Sequence, residues 1–487
     1  MTDSSVSSET IPPESTQRIL NGNLAVEVAR FGFPLALGMG LQTTFNLVDL
    51  YIIGQIEGEL GTASVGAIGI CDNLASLGTI MSYGLSIATG VILSRKQGEG
   101  DDSGVHRVAW QSILMLTAMA AVCGLFGVLG AEFFMYDVMG AKGQVAALGT
   151  DYLRVVMGGS GTMFLLLHLV TLQRALGSSK TPIAMLLIAN VFNFVLAVLM
   201  VYGPGEAPEI FSWGPPIAEA LGIPRMELVG AAWATVLARV FALVPTLVVV
   251  IWRYELFRKK HRSPINPGIM KQLWELGWPT STQLVARIIA MLVVHSFVAR
   301  AFTTETDQSA STALGVVLRL ETMALFVGLG WGSASQTYMG QNMGAGQLDR
   351  AKASGWYAAG YDAVMMAGLA VIYVSYGPQI VSFFEDDPRV VGIAVEYLKW
   401  VAPSYVGLGV GIVLGSAIQG AGATFYSLVL DVSVVLAFQL PLCALVVFGL
   451  ELEQYRLWQV VATTYVCSAV VYIFSYRRGT YLKTQLA

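Results

Sequence analysis

The sequence predicts an all-α polytopic membrane protein of twelve transmembrane helices in two six-helix lobes, related by a pseudo-two-fold axis along the membrane normal. Three observations carry that prediction. Mean hydropathy is +0.64, and only 12% of the 487 residues are charged, where soluble chains carry roughly a quarter. Apolar stretches recur about twelve times, each near the ~20 residues that a helix needs to cross about 30 Å of hydrocarbon. The second half of the chain also repeats features of the first. A β-barrel is excluded, because runs such as LVPTLVVVIW and VVLAFQLPLCALVVFGL are apolar all round rather than alternating.

Spans are placed near 25–52, 63–93, 108–133, 149–174, 181–202, 228–252, 276–301, 311–339, 354–377, 391–419, 424–449 and 456–476. An even count puts both ends on one side. The loops holding Arg95, Lys96 and Arg107, then Arg174 and Lys180, then Arg253 through Lys271, then Arg350 and Lys352, with the tail Arg477, Arg478 and Lys483, are the basic ones. Cytoplasmic loops hold the excess of Lys and Arg, so both termini are expected in the cytoplasm and the protein in the plasma (inner) membrane. The opposite loops are acidic, as in GEAPEIF and FFEDDPR.

The domain reading is a disordered cytoplasmic leader over 1–23, a six-helix lobe over 24–252, a basic linker over 253–275, a second lobe over 276–476 and a tail over 477–487. The linker holds the turn signals Ser263-Pro264 and Asn266-Pro267. The polar leader lacks the basic and apolar regions of a signal peptide. Cys71, Cys123, Cys443 and Cys467 all lie in apolar segments without CxxC spacing and read as structural thiols. No P-loop, HExxH or nucleophile elbow occurs, so neither ATP-driven transport nor a familiar enzyme chemistry is indicated. The four histidines are scattered, which argues against a membrane-embedded transferase.

A shift of 246 positions lays the second half on the first. It pairs Gly84 with Gly330, Ala88 with Ala334, Gly98 with Gly344, Gly100 with Gly346 and Trp110 with Trp356. Those are five identities in 27 positions, where shared composition would give about two. The same shift pairs Gln173 with Gln419, Ala175 with Ala421 and Gly203 with Gly449. Six spans per unit, an even number, insert both units the same way up, with substrate between the lobes.

Charged residues inside spans face cavities, pair with each other or carry protons and ions. Asp49, near the outer end of span one, is the foremost of these. Either it faces a cavity and takes up a proton or ion, or it is close enough to the interface to stay wet. Pro34 removes a backbone hydrogen bond from the same span and makes either a hinge or a static kink. Asp72, near the start of span two, either lines the cleft with Gln42 and Asn46 or caps a helix. Arg287 in span seven either neutralises an acid such as Asp431 or Glu321 or stands at a cavity wall; pairing is the cheaper arrangement. His168 reads as a hydrogen-bonded packing residue, and Glu27 and Asp362 carry less weight. Tyr51, Trp110, Trp252, Trp400 and Trp458 read as interface anchors.

Four segments together resemble the multidrug and toxic-compound extrusion (MATE) family over nearly all the chain after the leader. They are FPLALGMGLQTTFNLVDLYIIGQI in span one, LQRALGSSKTP opening span five, GAAWAT in span six, and LRLETM followed by GQNMGAG around span eight. The fifteen-residue spacing of Pro34 and Asp49 resembles the prokaryotic branch named after the DNA-damage-inducible protein F. That resemblance implies a secondary efflux antiporter whose coupling site joins Asp49 to Asn193 in NVFNFVLAV and Thr235 in GAAWAT. Without the resemblance, Asn193 is equally an interhelical hydrogen bond and Thr235 a bond back to its own helix.

This sequence departs from the branch where a second acid would stand, since one turn after Asn193 it has Ala197. A single carboxylate favours H+ over Na+, with Na+ at Asp49, Asn193 and Thr235 as the alternative. The second lobe departs from the sodium-coupled relatives as well. Eight residues after Pro279 stands Arg287, and APSYVGLGVGIVLG in span ten has no acid. The expected partners are small amphipathic organic substrates and membrane lipids, with no nucleic acid, no metal and no cofactor, and the chain is expected to be a monomer. A flippase of lipid-linked sugars on the same architecture is the rival function, for which Arg30, Arg239, Arg287 and Arg319 are the available cations.

Overall fold

A computed structural model describes residues 14–56, 58–257, 263–304 and 306–484, leaving out the side chains at 42–48, 50, 59, 62, 73 and 77. The expected cleft residues Gln42 and Asn46 therefore lie outside the described side chains. The described backbone is almost wholly helical. A short helix α1 (Glu14–Asn21) precedes α2 (Leu24–Gly54), α3 (Gly58–Glu99), α4 (Asp102–Phe133), α5 (Gly143–Gly158), α6 (Ser160–Ala175), α7 (Lys180–Tyr202), α8 (Gly214–Leu221) and α9 (Glu227–Arg253). The second half holds α10 (Pro267–Phe302), α11 (Ser309–Gly344), α12 (Leu348–Ser382), α13 (Pro388–Val401), α14 (Tyr405–Gly420), α15 (Thr424–Val434), α16 (Leu440–Ala444) and α17 (Gln454–Arg478).

Among the described residues eleven helical segments are long and apolar enough to cross a membrane, with α13–α14 and α15–α16 each counted as one, and α5 with α6, meeting at 42°, make a twelfth. Span four thus differs from the continuous helix expected over 149–174. It breaks at Gly159, where backbone freedom is greatest and a side chain would strike Val236. Span ten is likewise divided into α13 and α14 by a 3-10 turn over Ala402–Ser404 that contains Pro403. By contrast α2 runs unbroken through Pro34.

The leader expected to lack structure over 1–23 contains α1. Its Thr16 and Ile19, three residues apart, face inward and are buried. The Arg350 guanidinium donates to the carbonyls of Ile19 and Gly22 at 3.0 and 2.6 Å, satisfying groups that a helix end leaves unpaired. Of the expected interface anchors, Tyr51, Trp252 and Trp400 are exposed, whereas Trp458 is buried, edge-on to Tyr397 with ring centroids 4.9 Å apart.

Within the first half, α7 packs on α9 and α2, and α3 packs on α4, α5 and α6. In the second half α11, α12, α14 and α17 form the central group, with α10 against α15. The two groups meet where α2 and α3 face α10 and α11. Glycine lets the backbones approach there, as in membrane helix pairs generally. A methyl on Gly98 would collide with the carbonyl of Gln341, and one on Gly344 with that of Arg95. This is the repeat's matched glycine pair used reciprocally.

Further ties run from Gln341 Nε2 to the Ala175 carbonyl at 2.8 Å, from Arg174 to the Ser333 hydroxyl at 3.1 Å and from the Ser281 hydroxyl to the Ile80 carbonyl at 3.2 Å. All lie in the helix halves nearest the two termini or at mid-helix, as does the approach of Gly40 on α2 to Val327. Among the described residues the bundle is therefore joined at the end that carries α1 and the end of α17. Asp49 and Asp72 sit beyond the join.

Candidate functional site

Asp49 projects from the far end of α2, and Asn193 comes from the middle of α7, the helix packed beside it. The Asn193 amide nitrogen donates to both carboxylate oxygens at 2.7 Å. A hydrogen bond to an ionised carboxylate is stronger than one between neutral groups. Two of the three residues assigned to the coupling site are thus brought together. The third is not: the Thr235 hydroxyl donates at 2.9 Å to the Ala231 carbonyl one turn back on α9, the bond that Thr forms when no better acceptor is in reach.

Asp72 corrects the cap reading. Helix α3 begins at Gly58, so Asp72 stands well inside it, where no unpaired N–H group remains to be capped. Its side chain is solvent-exposed yet interacts electrostatically with Asp49, Cys71, Tyr152 and Arg239. Arg239 belongs to the same cluster and acts on Asp49, Asp72 and Tyr152, although no carboxylate comes within 4 Å of it among the described residues. The first half therefore gathers two acids and one cation within electrostatic reach of one another.

The second half places a different arrangement on the equivalent helices. Arg287 on α10 binds Asp431 on α15 in a bidentate pair, Nε and Nη2 each 2.6 Å from a carboxylate oxygen, and the Tyr472 hydroxyl adds a bond to Oδ1 at 3.3 Å. In both pairs the partners are 144 positions apart. The 246-residue shift carries Asp49 to His295 and Asn193 to Gln439, so the ion pair lies about two helical turns nearer the joined end than exact repetition would put it. His295 bonds the Ser311 hydroxyl at 2.9 Å, and Gln439 is buried. Glu321, the other acid considered for Arg287, accepts instead from the Tyr397 hydroxyl at 2.6 Å and from Tyr465.

The family model described as MatE matches residues 34–199 and 286–445, stretches that include Pro34, Asp49, Asp72, Asn193 and the Arg287–Asp431 pair. The chain belongs to the MATE family. It is similar to the "Probable multidrug resistance protein YpnP" of Bacillus subtilis, 27% identical over 475 residues that cover 96% of this chain and 97% of the relative. The "FAD transporter" of Shewanella oneidensis is 23% identical over 431 residues, covering 88% and 89%. A crystal structure of a MATE protein in the straight conformation superposes with a TM-score of 0.85 at 20% identity, over 97% of this chain and all of that one. The MATE chain is accordingly a multi-pass membrane protein with the family's helical fold.

Sequence reasoning missed Arg239 as a member of this MATE site and weighed it only as a cation for a flippase. The signal was present, since Arg239 follows Thr235 by four residues on α9 and so shares its face. His168 is a packing residue as read, buried between the Ser86 and Ser112 hydroxyls at 3.1 and 2.9 Å. Glu27 pairs with Arg30 at 3.2 Å near the start of α2. The four cysteines are free thiols. Ala197 is buried one turn beyond Asn193, leaving no second carboxylate on that face of α7.

Proposed function

We propose that this MATE chain is a secondary active multidrug efflux antiporter that exports amphipathic or cationic organic compounds in exchange for protons, with Asp49 as the coupling carboxylate. The observation that supports it is the Asn193 amide spanning both oxygens of Asp49 at 2.7 Å, with Asp72 and Arg239 within electrostatic reach. A family of transporters, with relatives named for multidrug resistance over almost their whole length, supports transport rather than catalysis.

The same geometry favours H+ over Na+. A hard cation needs several oxygen ligands. Here both oxygens of Asp49 accept N–H bonds, the Thr235 hydroxyl is turned back on its helix and position 197 offers no oxygen. A proton needs only one lone pair. Protonation removes the charge that Asn193 and Arg239 answer to, and loosens α2 from α7 and α9. With the joined end facing the cytoplasm of the inner membrane and both termini on that side, the molecule is outward-open. A monomer contains the whole cycle. Proton binding shifts the equilibrium between outward-open and inward-open states only if the two hold that proton with different affinity.

Three of the four cations of the lipid-linked sugar reading, all but Arg319, answer to acids. Arg287 is locked to Asp431, Arg30 faces Glu27, and Arg239 stands in the field of Asp49 and Asp72. The deciding experiment reconstitutes the protein in liposomes and follows ethidium efflux under an imposed pH gradient and then a sodium gradient. Wild type is expected to respond to the pH gradient alone and Asp49→Asn to neither. Unaltered proton coupling in that variant overturns the assignment.

A further inference from the structure

Three carboxyl groups lie among the helices of the second half, and two of them have donors: Asp431 has Arg287, and Glu321 has Tyr397 and Tyr465. Asp362 has none. It is 0% exposed, and neither of its oxygens has a hydrogen-bond partner among the described residues. It stands on α12, and its Oδ2 is aimed at the backbone of Gly409 on α14 so closely that a methyl group there would collide with it; Met366 lies beside both.

The helices packed against α12 are α2, α11, α13 and α14. Among their described residues no charged or titratable group acts on Asp362. Of the neighbouring tyrosines, Tyr361 donates to the Ala25 carbonyl and Tyr373 to the Leu320 carbonyl, both at 3.1 Å, while Tyr405 packs its ring on Tyr373 and its buried hydroxyl bonds neither Asp362 nor any other described residue.

An ionised carboxylate is among the costliest groups to bury without a donor, whereas the neutral acid is far cheaper. A metal cation would need further oxygen ligands, and Gly409 and Met366 bring no side-chain oxygen. The proton is the ligand that fits. Both helices that enclose the group are interrupted, α12 by a non-helical Tyr376 two residues before Pro378 and α13/α14 by the turn at Pro403. Breaks of that kind are where packed helices shift.

We propose that Asp362 is a second proton-binding site of this transporter, in the lobe opposite Asp49, loaded while α12 and α14 pack as they do here and emptied when their separation admits water. Only its consequence for stoichiometry rests on the antiport reading above.

The test is infrared difference spectroscopy on the full-length protein in lipid nanodiscs, with and without ethidium, for wild type, Asp362→Asn and Asp49→Asn. Asparagine is nearly isosteric with the protonated acid, so the fold is expected to survive. A protonated-carboxyl band should be present in wild type and Asp49→Asn, absent in Asp362→Asn, and altered by ethidium. Gly409→Ala, which crowds Oδ2, should shift that band. In liposomes the protons exchanged per ethidium should fall by about one in Asp362→Asn.

A band that Asp362→Asn does not remove overturns the proposal. So does a band indifferent to ethidium with an unchanged proton ratio, which makes Asp362 a neutral packing residue. Retained coupling in Asp49→Asn with a reduced ratio in Asp362→Asn would leave this site standing while the Asp49 assignment fell.

Discussion

In the first lobe a carboxylate on α2 meets a neutral amide on α7; in the second a guanidinium on α10 meets a carboxylate on α15. The helices correspond and the partners are equally spaced along the chain, but the electrostatics differ in kind. Asp49 is bonded to a group that contributes no charge, and in the antiport proposed above a proton neutralises it and leaves again. Asp431 already has its cation, tethered and permanent. One arrangement can exchange a ligand with solution, and the other fixes two helices to each other. Duplication of a scaffold therefore does not duplicate the site.

The largest expected effect is at Asp49. Asp49→Asn should abolish pH-driven ethidium efflux while leaving the denaturation midpoint in detergent within a few degrees of wild type, since the part-buried contact with Asn193 is worth about 1.5–3 kcal/mol. Loss of both activity and fold would break the comparison, because Asp49 would then share the structural role given to Asp431.

The complementary change is Arg287→Met, which strands the buried Asp431 carboxylate. Breaking one side of a buried pair typically costs about 3–5 kcal/mol, whereas replacing both partners by apolar residues is often neutral. Thermal unfolding should show Arg287→Met strongly destabilised and Arg287→Met with Asp431→Leu restored, as a double-mutant cycle. A double variant that folds like wild type but no longer transports would give the second-lobe pair a functional role and erase the contrast.

The spans, the two-part organisation and the pairing of Arg287 were legible because each follows from a strong local cost: charge in lipid, backbone in lipid, an unpaired cation. The breaks at Gly159 and Pro403 were less so, because a hydrophobic run continues across them and hydropathy does not sense direction. Asn193 was legible through resemblance, and the geometry of its two bonds was not. Asp362 received little weight in the sequence because the absence of a donor is a property of the packed neighbours, above all Gly409, and not of the residue. The reverse holds for Thr235, whose motif pointed at the site while its hydroxyl turned to a nearer acceptor.

Two smaller changes sharpen the first-lobe half of the comparison. Asn193→Leu removes the donor that spans Asp49, and a charge-assisted bond of about 1.5–3 kcal/mol translates into roughly a tenfold or greater fall in proton-driven efflux, read as initial ethidium rates at fixed pH gradient. Thr235→Val keeps shape and removes only a hydroxyl whose present bond is to Ala231. Freeing that carbonyl costs little, because it still accepts the helical N–H, so efflux should change by less than about twofold. A Thr235→Val loss as large as that of Asn193→Leu would mean that the hydroxyl swings to Asp49 during the cycle. The oxygen count around the carboxylate would then rise, and the case for sodium with it.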